Sequence, residues 1–360
     1  MIRWAPWISG SNRRWSKKPV VAGSGRLSNP VVVEVIRGDR IESAHRGAGA
    51  VVDETGRIVV AFGDIDRPIY PRSAVKPLQA LPIIECGAAD RMGLSENEIA
   101  LACASHSGAD DHVAIARAML AKAGRDENAL ECGAHWPLGD EPARALARSG
   151  GTPTALHNNC SGQHAGFICL ACALGVDPTN YVAPDHAVQR EVTAALADVT
   201  GARLGEEARG VDGCAIPTYA MPLRALALGF ARFGAGRGLS TGRQKAARRI
   251  RAAIAAHPAT VAGKGRFDTE SMTIVGPRLL SKGGAEGVHC AALPEAGLGL
   301  SVKADDGAGR AAQVMVAALI QRLGGMDEET IARLSRFVSP RLSNWNRDEV
   351  GLLRPAGPLA

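Results

Sequence analysis

Lysine is scarce in this chain: only 8 of its 42 basic residues are lysine and the other 34 are arginine. Arginine stays protonated and cannot accept a proton from a nucleophile, so base chemistry by a cationic side chain is left to very few positions. No apolar run approaches the roughly 18 residues of a membrane-spanning helix, so none is expected. Acidic residues are missing from positions 1–33, which hold 6 basic ones, and residues 34–360 balance at 36 basic against 36 acidic. The pI near 9.0 therefore belongs to the leading segment and gives no reason to expect nucleic-acid binding by the rest. That segment, 1–29, has no apolar h-region, and none follows Arg13-Arg14, so neither export signal is read there. With Trp4, Trp7 and Trp15 it reads as a basic, flexible extension. The 8 cysteines do not form the dense pattern of a disulfide scaffold, and without an export signal reduced thiols in a cytoplasm are expected. There is no internal repeat.

What is present alternates in kind along the chain. Val31–Arg37 reads as a strand and Gly38-Asp39 as a turn. Ala48–Val52 and Ile58–Phe62 read as strands joined through Asp53-Glu54-Thr55-Gly56, a hairpin signal. The middle is helical: 74–86 opened by Ser73 and kinked at Pro82, Asp110 to Gly124, a helix capped by Ser161 and running to Gly175, then 185–199, 222–233 and 243–256. Strand character returns at Met272–Val275 and Gly299–Lys303, followed by helices near 309–323 and 327–337 and an irregular tail. The expected fold class is α+β: one domain over 30–360, an antiparallel sheet built from N- and C-terminal strands (30–63 and 270–323), and an inserted helical lobe (74–256).

Three serine-and-lysine elements carry potential chemistry. Ser73-Ala74-Val75-Lys76 is the sole Ser-x-x-Lys; a chain of this composition would match it by chance about 0.4 times. In the first turn of a helix the two side chains share a face, and a lysine in apolar surroundings can lose its proton and activate the serine. Ser105 lies in the small, polar stretch Cys103–Gly108 between two helices. Lys282 precedes the paired glycines Gly283-Gly284, which let a ligand approach the backbone. Each has a plain structural reading too: an exposed helix-start lysine, a capping serine, a turn lysine. Serine β-lactamases and penicillin-binding proteins use the same order of elements. A second cluster is sulfur-based. Cys160, Gln163 and His164 fall at i, i+3 and i+4 at a helix start, and Val211–Pro217 supplies Cys214 in a turn. The cluster allows a metal site or two buried cysteines beside a polar pocket. Cys169 and Cys172 read as buried helix residues, and the zinc nucleoside-deaminase signature is absent.

Taken together these stretches resemble the rhizobial-type (class 3) L-asparaginases. The resemblance rests on Arg72–Pro77, Cys103–Ser107, Asn159-Cys160-Ser161-Gly162 with His164, and Asp212-Gly213-Cys214. It extends to His45-Arg46, Lys282 before a glycine, and the Ser301-Val302-Lys303 strand with Asp306-Gly307, in one order from Val31 to Leu353. It implies a serine β-lactamase-like fold, a homodimer, and hydrolysis of the side-chain amide of L-asparagine. It also implies site roles: Ser73 as the nucleophile or one of two, Lys76 as its base, Ser105 paired with Lys282, and Arg72, His164 and Asp212 at the substrate. Cys160 and Cys214 match the family's zinc-binding cysteines. The family's lysine after Cys-Ser-Gly is Gln163 here, an amide without charge, which weakens the expected zinc site. Alternatives are a serine amidohydrolase acting on glutamine, a peptide or a β-lactam, or a non-catalytic homologue; a small, closed pocket would favour asparagine.

Overall fold

Val31–Arg37 (β1) and Arg40–Asp53 (β2) form the hairpin expected at Gly38-Asp39. The computed structural model describes residues 28–360. β2 is longer than its sequence suggested because it serves two neighbours in turn. Its first half pairs with β1 (Glu34↔Ala44), and its second half pairs with both Ile58–Phe62 (β3) and Leu298–Ala304 (β6). With Leu280–Gly283 (β4), Val288–Leu293 (β5), Arg341–Ser343 (β7) and Glu349–Pro355 (β8) these make one 8-stranded antiparallel sheet. Its order is β7-β8-β1-β2-β6-β5-β4, with β3 on β2. The α+β architecture, with a sheet from both ends of the chain and a helical lobe between, is therefore present.

Both faces of the sheet are covered, so β6 is buried or half-buried along its whole length. Ser301 Oγ donates to the Leu223 carbonyl at 2.7 Å, which turns Gly299 and Ser301 toward the helix Leu223–Ala235. Gly47, paired with Ala304, faces Met315 of the helix Gly309–Leu323 on the other side. In the helical lobe, Ser161–Leu174 is buried on 12 of its 14 residues, which makes it the hub around which its neighbours pack. Cys169 is buried in this helix and Cys172 partly so, as expected of helix residues.

Several sequence expectations are corrected. Met272–Val275 lies in a helix, Phe267–Val275: a short β-branched run does not distinguish strand from helix, and Asp268 and Glu270 in the first turn favour the helix. The tail is not irregular; β8 pairs with β1 (Val35↔Leu353). The segment 74–86 is not one kinked helix but a 3-10 turn, Arg72–Val75, then Lys76–Gln79 and Leu81–Glu85, since Pro77 and Pro82 lack the N–H groups a continuous helix needs. Neither Ser73 nor Ser161 caps a helix; the Ser161 hydroxyl donates to the Leu156 carbonyl at 2.9 Å. Most of the expected basic extension lies outside the described residues. Its last member, Asn29, is part of the fold: it donates to Asp305 Oδ1 at 2.9 Å and accepts from the Asp64 N–H at 2.7 Å.

A close helix–sheet approach is made at Gly299, where a Cβ would stand 2.1 Å from the Ala227 carbonyl oxygen. Gly299→Ala is expected to cost about 1–3 kcal/mol of stability. Chemical denaturation would read this as a lower midpoint at unchanged slope; an unchanged midpoint would refute the tight contact.

Candidate active site

The site forms where the end of β4, the turn Arg72–Val75 and the stretch after the helix Glu96–Ala102 meet. Gly284 allows the approach: a Cβ there would lie 2.6 Å from the Pro71 carbonyl oxygen. The glycine expected to admit a ligand thus admits the protein's own backbone. Ser105 is no helix cap, since the next helix, Asp110–Lys122, is preceded by Ala109. Its loop is pinned instead by backbone bonds, Ser105 N to Val261 O at 2.9 Å, His106 N to Asn159 O at 3.1 Å and Gly139 N to Ser107 O at 3.0 Å. His106 accepts from the Gly108 N–H on Nδ1, so its Nε2–H faces the Ser161 hydroxyl at 2.9 Å. Burial holds this imidazole neutral, its pKa well below the usual range.

Ser73, Ser105, Lys76 and Lys282 are brought together. Lys76 and Lys282 are each only 1% exposed. Lys282 Nζ donates to Ser105 Oγ at 3.0 Å and to the Gly283 carbonyl at 2.7 Å. Burial lowers the Lys282 pKa to about 8; the Asp268 carboxylate opposes the shift, and Lys76 adds to it. Lys76 does not bond Ser73. Its Nζ donates to the Ala104 carbonyl at 2.6 Å, and among the described residues the Ser73 hydroxyl has no hydrogen-bond partner. The second expected Ser–Lys pair is formed; the first is not closed.

Ser73 lies between two hollows. One, of about 280 Å³, is lined by Ser73, Ser105, Asp268, Gly283, Gly284 and His289. The other, of about 10 Å³, is lined by Ser73, Arg72, Lys76, Gln163, Asp212 and Cys214. A larger surface hollow of about 730 Å³ near Thr200 and Arg224 touches none of the expected site residues. Arg72 holds a left-handed backbone, φ +51°, rare for a side chain of this size, and its Nε donates to Asp212 Oδ2 at 2.7 Å. His164 lines neither hollow. It takes the Tyr181 O–H on Nδ1 at 2.6 Å, while Tyr181 accepts the Glu131 N–H, and burial lowers the His164 pKa to about 3. Its Nε2 is buried without a partner.

Cys160 and Cys214 come together as expected. The hydrogen bond from Cys214 draws the Cys160 pKa down, with burial opposing and Lys76 assisting, while Cys214 is pushed up by the same bond and by burial. Gln163 donates its Nε2 to Gln79 Oε1 at 2.8 Å, leaving its own Oε1 buried without a partner. Zinc favours three or four nitrogen and sulfur donors. Among the described residues no group of three His, Cys, Asp or Glu could hold a metal ion. Two thiols and one neutral amide oxygen do not fit the zinc set implied by the resemblance.

Two residues of the site escaped sequence reasoning, Asp268 and His289. Both line the larger cavity and pair with each other, Oδ1 to Nε2 at 3.0 Å. The signal was concealed because Asp268 sits beside a segment read as a strand, 14 residues before Lys282 in sequence.

With the geometry in hand, comparison with known proteins identifies the class. The sequence matches the L-asparaginase II family over residues 33–355, and the chain belongs to that family. Membership supports an asparaginase-type, hydrolytic function. A search of curated proteins found no match. Among solved structures, a β-lactamase (Mb2281c) from Mycobacterium bovis is 15% identical, with 81% of this chain and 94% of that one covered and a TM-score of 0.38. Simvastatin synthase (LovD, the LovD6 mutant) from Aspergillus terreus is 11% identical, with 81% and 93% covered and a TM-score of 0.33. Among the described residues no helix is long and apolar enough to cross a membrane.

The donor set around Gln163 makes a measurable statement. Purified protein is expected to retain well under one zinc per chain after dialysis, and Gln163→Lys to retain more. Elemental analysis, with thermal melting in the presence and absence of zinc, reads both; a full equivalent in the wild type would overturn the expectation.

Proposed function

We propose that this protein hydrolyses L-asparagine to L-aspartate and ammonia, with Ser73 attacking and Ser105–Lys282 moving its proton. The observation that carries the reading is the 3.0 Å Lys282–Ser105 contact beside a second serine whose hydroxyl is unengaged, both on one cavity of about 280 Å³. This volume lies near the low end for ligand pockets, which supports a small amide over a peptide. Ser73 Oγ bonds to the amide carbon, and its proton passes through Ser105 to neutral Lys282. Lys282 returns that proton to nitrogen as the C–N bond breaks and ammonia leaves. Water then adds to the ester, the same pair takes its proton and returns it to Ser73 Oγ, and aspartate is freed. The Lys76 ammonium, held at the Ala104 carbonyl, favours the negative charge that develops at the carbonyl oxygen. Arg72 and Asp212 carry the two charges complementary to an amino acid's carboxylate and ammonium. The homodimer and the cytoplasmic location are expectations of the same reading.

A second reading exchanges the serines: the closed Lys282–Ser105 contact favours Ser105 as the attacking group. Acid quenching followed by peptide mass spectrometry separates the two, since the aspartyl group stays on the Ser73 peptide in the first reading and on the Ser105 peptide in the second.

Ammonia release from L-asparagine tests the function itself. Wild type is expected to be active, and Ser73→Ala to lose about 10³-fold or more in kcat. Lys282→Met is expected to lose about 10²-fold or more. No release by wild type from L-asparagine refutes the reading.

The Lys282 pKa of about 8 sets a pH dependence, because the base must be neutral before it accepts a proton. The kcat/KM is expected to rise with pH and level off above that value. A flat profile between pH 6 and 9 would remove Lys282 from the role of base.

A further inference from the structure

Behind the Lys282–Ser105 contact lies a carboxylate that the steps above do not use. Asp268 is 5% exposed. Its Oδ1 and Oδ2 accept the Gly283 N–H at 3.1 and 3.2 Å, and Oδ1 also accepts the Ser281 hydroxyl at 3.2 Å. His289 Nε2 approaches Oδ1 at 3.0 Å and Ser281 Oγ at 2.8 Å. The His289 ring is held edge-on by Phe267, centroids 5.0 Å apart. One carboxylate on the helix Phe267–Val275 thus fastens the residues on both sides of Lys282 and, through His289, the neighbouring strand.

Ser281, His289 and Asp268 do not make a second nucleophilic triad. The imidazole meets serine and carboxylate through the same nitrogen, so it cannot take the hydroxyl proton while the carboxylate orients its other side. The Ser281 hydroxyl is also fully enclosed. The geometry points to Asp268, backed by His289, as the positioning residue that fixes Lys282 on Ser105. The inference rests on the reading that Ser105–Lys282 moves protons.

Charge supports the same assignment. The groups acting on Lys282 are Asp268, Lys76, Arg266 and Cys160, with the thiols of Cys103 and Cys290 also in its field. Asp268 is the anion of this set that most strongly opposes the burial that lowers Lys282. Burial would push Asp268 itself up, but His289, Lys282 and the Gly283 N–H outweigh it and keep it ionised. Without this carboxylate, two buried ammonium groups would face each other with less compensation, and Lys282 would lose its proton at lower pH.

The pH dependence of kcat/KM for asparagine in Asp268→Asn and Asp268→Glu tests the proposal. Asp268→Asn is expected to lower kcat at least 10-fold and to move the rising limb down by about 1 pH unit. Asp268→Glu, which restores the charge, is expected to return the limb toward the wild-type position while kcat stays reduced. A limb that does not move in Asp268→Asn would make Asp268 purely structural and overturn the proposal. Should Asp268→Asn not fold, Asp268→Glu decides alone, since unchanged kcat and KM would refute positioning. If the wild type hydrolyses no amide, the functional reading fails separately. Titration of the Lys282 signal by NMR in ¹³C-methylated protein still reads the effect of Asp268, and an unshifted signal in Asp268→Asn overturns the proposal.

Discussion

The arrangement depends on keeping the Lys282 ammonium next to Ser105 and away from water. The two residues are 177 positions apart, and the bond between them is the point where the sheet and the helical lobe share a function. Removing an ammonium from water is costly unless its donors are satisfied and an anion is near. Lys282 has the Ser105 hydroxyl, the Gly283 carbonyl and the Asp268 carboxylate. The compensation is partial: a fully compensated lysine would stay charged near pH 10, whereas burial leaves Lys282 with a lowered pKa.

The surroundings explain why this geometry can persist. The sheet brings β4 to its edge, and Gly284 lets the strand end touch the Pro71 carbonyl, so the turn bearing Ser73 is set against the strand bearing Lys282. The Ser105 loop has no regular structure, yet its backbone bonds to Val261, Asn159 and Gly139 hold it from three directions. Side chains drawn from a strand edge, a tight turn and a pinned loop are thus held in one arrangement without any ligand, the kind of preorganisation that lowers the entropic cost of bringing groups together.

Much of this was legible in the sequence where residue chemistry is rare. Lys76 and Lys282 stand out in an arginine-rich chain, and Ser105 lies in a stretch too small and polar for a helix. The three N-terminal strands followed from β-branched runs and hairpin turns; of the late strands only Gly299–Lys303 was read, and the four others were not. Other features were not legible, for physical reasons. Met272–Val275 has strand composition but is helical, because a four-residue run does not fix a period. Asp268 and His289 have ordinary neighbours in sequence, and only the helix–strand packing joins them. The Ser73–Lys76 spacing suggested a pair, but Lys76 donates to the Ala104 carbonyl, a partner 28 positions away that the sequence does not bring near.

Gln163 shows how one uncharged side chain alters the balance of a buried site. A lysine there would add a third ammonium to a region that already buries Lys76 and Lys282, and such a charge needs anionic sulfur or a metal-bound arrangement to offset it. With glutamine the offset is not needed. The Cys214 thiol bonds to Cys160, Lys76 stands near that pair, and the amide turns its N–H toward Gln79. The neighbouring charges are offset from within the protein, Arg72 by the Asp212 carboxylate and Lys282 by that of Asp268.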